Sequence, residues 1–193
     1  MIAVVLTFIR SRFINPFLLS AVTILAMSPA AEAVTLNFEA KITKATCDIS
    51  LSQTLLTLGT IPVRDLKSNT VTRTQSFTLN ISNCQGIPAE SQTSVIKITG
   101  EGELQGGKWL FRSAERSRAG STGILLFQRS TEPVYSDREV KNGDEISLMQ
   151  KGGAQIVDKL PFYAGVSCGG DSGCASVKAG AVSATLIFDF VYA

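Results

Sequence analysis

The chain has 193 residues, 45% of them hydrophobic and 18% charged, with 18 basic residues against 16 acidic ones and no histidine. That hydrophobic content supports a packed core and is too high for a disordered chain, while a net charge of +2 leaves no electrostatic footprint for nucleic acid. Without histidine the commonest general base and metal ligand are missing, so Ser-His-Asp and Cys-His catalysis are excluded within the chain.

In chain order, Arg10 and Arg12 come first, ahead of an apolar run from Phe17 to Met27. Ser28, Pro29 and Ala30-Ala31-Glu32-Ala33 follow. A basic flank, a short apolar core and Ala-x-Ala are the parts of a secretory signal, with cleavage expected after Ala33. The run is shorter than the ~20 residues a spanning helix needs, and Pro29 ends it. Residues 1–33 are therefore read as a signal peptide, and residues 34–193 as the mature chain, exported to a compartment where disulfides persist.

Val34–Ile42 alternates strictly, with Val34, Leu36, Phe38, Ala40 and Ile42 on one face and Asn37, Glu39 and Lys41 among the residues on the other. An extended segment of this length spans ~30 Å at ~3.3 Å per residue. Nothing precedes it after cleavage, so it reads either as a free arm or as the first strand of its own sheet. Five apolar side chains in register are costly to leave in water, since burying each larger one is worth roughly 1.5–3 kcal/mol.

Period-two alternation then recurs. Ile49 and Leu51 are followed by Leu56 and Leu58, ending at Gly59; Phe77, Leu79 and Ile81 lead into Cys84; Val95–Ile98 precedes Gly100. Gly123–Phe127 is a continuous apolar run suited to a strand buried on both faces. Leu160–Val166 is a further strand with Pro161 near its start, where a missing N–H is tolerable. Turn signals separate them at Lys67-Ser68-Asn69, Gly106-Gly107, Asn142-Gly143-Asp144, Gly152-Gly153 and Gly169-Gly170. No long stretch keeps a 3.6-residue period outside the signal. Many short strands with Gly-rich turns argue for one all-β antiparallel sandwich domain.

The four cysteines, Cys47, Cys84, Cys168 and Cys174, allow three pairings. The segments suggest Cys47–Cys84, strand to strand, and Cys168–Cys174, closing a Gly-rich loop. Neither the spacing nor the compartment favours a redox pair or a metal site. The last segment, Ala179–Ala193, reads as one long strand: Val182, Ala184, Leu186, Phe188, Phe190 and Tyr192 form one face, and Ser183, Thr185, Ile187, Asp189 and Val191 the other. At a sheet edge its free N–H and C=O groups would invite another strand.

Enzyme readings are poor. Ser167 or Ser172 near Lys178 carries no nucleophile motif. Asp137, Glu139, Asp144 and Glu145 lack calcium-loop spacing and read as a solvated face. Trp109, with Phe111 and Arg112, is read as core packing rather than as a sugar platform. No cofactor, metal or catalytic residue is expected.

Taken in order, several segments resemble the pilus subunits of the chaperone–usher pathway, especially those of type 1-like fimbriae. They are the signal, Val34–Lys44 followed by Ala45-Thr46-Cys47, Leu58-Gly59, Phe77-x-Leu-x-Ile-x-Asn-Cys84, Ile96–Gly100, Gly123–Gln128, Leu160-Pro161-Phe162-Tyr163-Ala164, and the closing Tyr192-Ala193 with Gly180 fourteenth from the end. The resemblance implies an incomplete immunoglobulin-like antiparallel sandwich that lacks its last strand and is completed by donor-strand complementation, a form of β-strand addition. It implies a structural fimbrial subunit that supports cell adhesion and is exported through the periplasm to the cell-surface fimbrium. Its partners would be a periplasmic chaperone, an outer-membrane usher and neighbouring subunits, with no nucleic acid; a host glycan or protein ligand is left open.

Mapped on this chain, residues 34–43 are the donor extension, with Val34, Leu36, Phe38, Ala40 and Ile42 inserted, and 44–193 the pilin domain. Gly180, Val182, Ala184, Leu186, Phe188, Phe190 and Tyr192 would be the strand that faces chaperone and usher. Ala40 stands where the family usually has glycine, Gly165 stands where relatives often carry a larger residue, and the short arm is like those of tip or adaptor subunits. The rival reading is a self-complemented secreted sandwich, closed by its own Val34–Ile42, acting as a carbohydrate-binding adhesin.

Overall fold

The structure is a computed structural model that describes residues 46–85, 92–149 and 157–193. The expected signal (1–33) and donor arm (34–43) lie outside the described residues. Among the described residues nine strands, one short α-helix and a 3-10 turn at Val63–Asp65 follow in chain order: β1 Thr46–Leu51, β2 Thr72–Gln85, β3 Ser94–Gly100, β4 Gly102–Gln105, β5 Lys108–Phe111, β6 Gly123–Gln128, β7 Glu145–Ser147, β8 Lys159–Ser167, α1 Asp171–Ala175 and β9 Leu186–Tyr192, with the 3-10 turn between β1 and β2. They form a six-stranded sheet, β1-β2-β8-β6-β5-β4, and a three-stranded sheet, β7-β3-β9, with every strand pair antiparallel. The expected all-β sandwich is the observed architecture.

Alternation explains how the main core forms. Leu79 and Ile81 of β2, Leu160, Phe162, Ala164 and Val166 of β8, and Ile124 and Leu126 of β6 meet Ile96 and Ile98 of β3. The apolar run in β6 is continuous because the strand is buried on both faces. Its other set, Leu125 and Phe127, joins Leu110 in a second cluster covered by Val71, Tyr135 and Tyr163. Gly165 belongs to that outer face, where an added Cβ would meet the Val71 side chain, so Val71 occupies the room a larger residue would need. Pro161 pairs with Thr78 of β2. On its other side β6 ends opposite Phe162, so β8 is flanked only once at that point.

Both disulfides pair as the segments suggest. Cys47 bonds Cys84, and Cys168 bonds Cys174. The first sits at a register shift in the β1–β2 ladder, where Asn83 takes φ 50°, a left-handed conformation that asparagine tolerates better than most residues. The second clasps the loop that contains α1. Asn69 N–H donates to the Gly169 carbonyl at 2.8 Å, and Ser167 Oγ donates to the Thr70 carbonyl at 2.7 Å, so this loop is docked against the turn before β2.

Two readings need correction. Leu56 and Leu58 are not in a strand: β1 ends at Leu51, the chain bends at Ser52 and Thr54, and the segment to Leu66 contributes side chains to the core without a ladder. Glu139 is not on a solvated face. Its side chain is 5% exposed, with Lys108 Nζ at 2.8 Å. The reason is tertiary: the loop after β6 folds back, and Val140 N–H donates to the Leu126 carbonyl at 2.7 Å, which carries Glu139 onto β5.

Candidate functional site: an apolar groove beside the last strand

β9 pairs with β3 along its whole length, from Leu186 opposite Gly100 to Tyr192 opposite Ser94, and is the outer strand of its sheet. Among the described residues no strand pairs its other edge, where backbone N–H and C=O groups are free to bond. Its inner side chains Leu186, Phe188 and Phe190 pack on the core but are only half-buried, whereas Ile96 and Ile98 across the ladder are fully buried. Tyr192 is also half-buried and stacks edge-on with Phe190 at 5.1 Å. Ile187, on the opposite face, is 55% exposed.

The expected strand Ala179–Ala193 is therefore shorter, Leu186–Tyr192. β3 ends at Gly100 opposite Leu186, so nothing remains for residues 179–185 to pair with in that sheet. Their backbone bonds instead to the turn after β5. Ser113 N–H donates to the Ser183 carbonyl at 2.7 Å and Arg118 N–H to the Ala181 carbonyl at 2.7 Å. Val182 and Ala184 still pack against the core. At Gly180 an added Cβ would lie 2.8 Å from the Arg118 carbonyl carbon, so the close backbone approach calls for glycine here.

Between this segment and the irregular stretch after β1 runs a groove of about 950 Å³. Leu56, Leu58, Ile61 and Leu66 wall one side; Val182, Ala184, Leu186 and Phe188 wall the other; Phe77, Ile124, Leu126, Ala164 and Val166 make the floor. Three rings anchor it, Phe77 on Phe162 at 5.3 Å and Phe188 edge-on to both at 6.1 and 5.5 Å. An apolar trough beside an open strand edge has the geometry that strand addition requires, in which backbone groups bond the edge strand and alternate side chains fill pockets. Sequence reasoning named the Phe188 side of the groove but missed Leu66, Ile61 and the floor from β6. Ile61 and Leu66 showed only apolar character outside any strand, and the β6 residues showed only an apolar run, which does not say that a groove opens over it.

The remaining candidates have structural roles. Trp109 is half-buried and edge-on to Phe111 at 6.2 Å, and its Nε1 is buried without a hydrogen-bond partner among the described residues. Ser167 Oγ is committed to backbone, donating to Thr70 and accepting from Gly169 N–H at 3.1 Å. Asp137 accepts from Val134 N–H at 2.8 Å and pairs with Arg129. No group of three metal-ligating side chains occurs among the described residues. Burial alone would raise the Glu139 carboxyl. Hydrogen bonds from Lys108 and from backbone N–H groups, together with the Lys108 charge, outweigh it and hold the carboxyl below its ordinary value.

A family model described as fimbrial protein matches residues 36–193. The chain belongs to the fimbrial protein family. This pilus subunit is similar in fold to the crystal structure of the P pilus rod subunit PapA, with a TM-score of 0.52 at 20% identity over 82% of this chain and 99% of that chain. A search among curated protein sequences returns no match. Membership makes the protein a structural subunit of a surface pilus, one that associates with other pilus subunits, and it places the immunoglobulin-like sandwich among the pilin folds.

Proposed function

We propose that this pilus subunit polymerises by donor-strand exchange. Its groove accepts the N-terminal extension of one neighbour. Its own residues 34–43, through Val34, Leu36, Phe38, Ala40 and Ile42, complete the groove of another. Before assembly a periplasmic chaperone lends a strand along β9, reading Gly180 through Tyr192, and an outer-membrane usher is the place of exchange. The fibre then carries the subunit to the cell surface and supports adhesion. The observation that carries this reading is the coincidence of an outer β9 edge, half-buried aromatic side chains beneath it and an apolar trough alongside.

The test is deletion of residues 34–43 from the mature chain, co-expressed with chaperone and usher. The truncated subunit is expected to co-purify with the chaperone but, having no strand to place in a neighbour's groove, not to extend a fibre, seen by electron microscopy as the loss of pili built from it. Pili of normal length built from the truncated subunit would refute the donor role. A deletion that leaves an isolated mature chain less stable as a monomer would instead favour a sandwich closed by its own leading segment.

A further inference from the structure

We propose that the Cys168–Cys174 loop is a brace for the groove, and that its two cysteines are positioning residues for strand capture. The inference rests on the donor-strand reading above and adds what keeps the acceptor in shape. The wall made by Leu56, Leu58, Ile61 and Leu66 has no ladder to hold it. Ser52 N–H donates to the Thr78 carbonyl at 2.8 Å. From there to Ser68 the described backbone hydrogen bonds are local, Asp65 N–H to the Pro62 carbonyl at 2.9 Å and Leu66 N–H to the Val63 carbonyl at 3.2 Å. The next backbone tie to another element is Asn69 N–H, donating at 2.8 Å to the Gly169 carbonyl inside the disulfide loop. Ser167 Oγ, one residue before Cys168, holds the Thr70 carbonyl at 2.7 Å, and Cys168 Sγ lies 3.5 Å from the Lys67 carbonyl oxygen. Side-chain packing aside, this wall hangs between two anchors, and the loop is one of them.

The anchor is itself fixed. Gly169 takes φ 73°, and an added Cβ there would stand 2.7 Å from the Gln105 carbonyl oxygen, so the loop is backed by the turn between β4 and β5. Beyond α1 the same chain enters the groove lining at Val177 and Lys178, and Lys178 N–H meets the Ala119 carbonyl at 3.4 Å. The loop thus joins β8, which supplies Ala164 and Val166 to the floor, to the segment that walls the opposite side. Cys168 is fully buried, and neither cysteine lines the groove, so the bond acts on a bound strand only through the walls. Without it the loop is free to leave the Lys67–Thr70 turn, and the wall loses an anchor. A wall seated for a fraction of the time weakens strand binding by that fraction, with no direct contact removed.

The experiment uses the full mature chain refolded from denaturant with a labelled peptide of residues 34–44. Wild type is compared with the double variant Cys168→Ser, Cys174→Ser, with Ser167→Ala and with Leu110→Ala. Ser167→Ala keeps the disulfide and removes the tie to Thr70, which serves if the double variant does not fold. Leu110 is buried in the outer cluster and does not line the groove, so its variant loses global stability alone. The double variant and Ser167→Ala are expected to bind the peptide about three- to tenfold more weakly than wild type, as for a wall seated a third to a tenth of the time. In both, amide exchange at Leu66 and Asn69 should speed up relative to Ile98 in the core of β3, the sign of local opening. Leu110→Ala should change neither the affinity nor that ratio. Unchanged affinity in the folded double variant (or in Ser167→Ala, should the double variant not fold), or an equal loss in Leu110→Ala, overturns the brace and leaves the groove reading standing. A wild-type chain that binds no peptide overturns both.

Discussion

Replacing Phe188 with alanine is expected to cost different amounts with and without a strand in the groove. In the free subunit Phe188 is half-buried, edge-on to Phe162 at 5.5 Å and to Phe77 at 6.1 Å. Removing a fully buried phenylalanine costs about 3–5 kcal/mol, so the half-buried ring is worth about 2 kcal/mol alone and about 4 kcal/mol once a donor strand covers it. The difference, ~2 kcal/mol, corresponds to an extra fall in Tm of about 4–8 °C for a domain of this size. Calorimetric unfolding of wild type and Phe188→Ala, each with and without saturating arm peptide, measures it. Leu110→Ala is the control: Leu110 is fully buried in the outer cluster with Leu125 and Phe127 and does not line the groove, so its cost of about 2–5 kcal/mol should be the same in both states. If Phe188→Ala loses the same Tm with and without peptide, nothing packs over Phe188 and the groove is not the acceptor.

Glu139→Gln leaves Lys108, only 15% exposed, without its charged partner, and is expected to destabilise by about 2–4 kcal/mol at neutral pH. The folded carboxyl titrates below its unfolded value, so the pair contributes fully above the unfolded pKa and its contribution is lost as pH falls through the folded pKa. Denaturant titrations of wild type and variant should therefore converge in acid. Gly180→Val puts a side chain into the Arg118 backbone. It should displace the 179–185 segment, cost about 1–3 kcal/mol and lower the yield of chaperone complex. Removing the Cys47–Cys84 bond with paired serines should cost about 4 kcal/mol and reduce export, against about 2 kcal/mol for Cys168–Cys174, whose loop is shorter. Equal losses in chemical unfolding would contradict the loop-length argument.

The strands that were legible in the sequence are those whose two faces differ. Phe77, Leu79 and Ile81, or Leu160, Phe162 and Ala164, alternate because one side of the sheet meets the core and the other does not. Gly123–Phe127 was legible for the opposite reason, having a cluster on each face. Alternation misled where no neighbour was available: Leu56 and Leu58, and Val182 and Ala184, point inward as the pattern says, yet lie in irregular backbone. A side-chain period reports burial, while a strand also needs a ladder, and whether β3 reaches past Gly100 is not written in residues 179–185. The Gly106-Gly107 turn was visible, with both glycines at positive φ, but the four-residue strands on either side were too short to show a period. Lys108 and Glu139 lie on different elements and their pairing is a tertiary event, so a carboxylate in a polar loop gave no sign of being buried. The groove inherits the same limit: one wall was readable from its alternation, and the floor emerged only from the packing of β6, β8 and Phe77.

The end of β9 is tied reciprocally, with Thr93 N–H donating to the Ala193 carbonyl at 2.8 Å and Ala193 N–H returning the bond at 3.0 Å, and seven consecutive residue pairs lie behind it. A mechanical load drawn along the axis of this strand is shared by all of those bonds together, rather than breaking them one after another as peeling from an end would. Rupture in that direction demands their near-simultaneous failure, so the seam that joins the last segment to its sheet is built to withstand traction better than leverage.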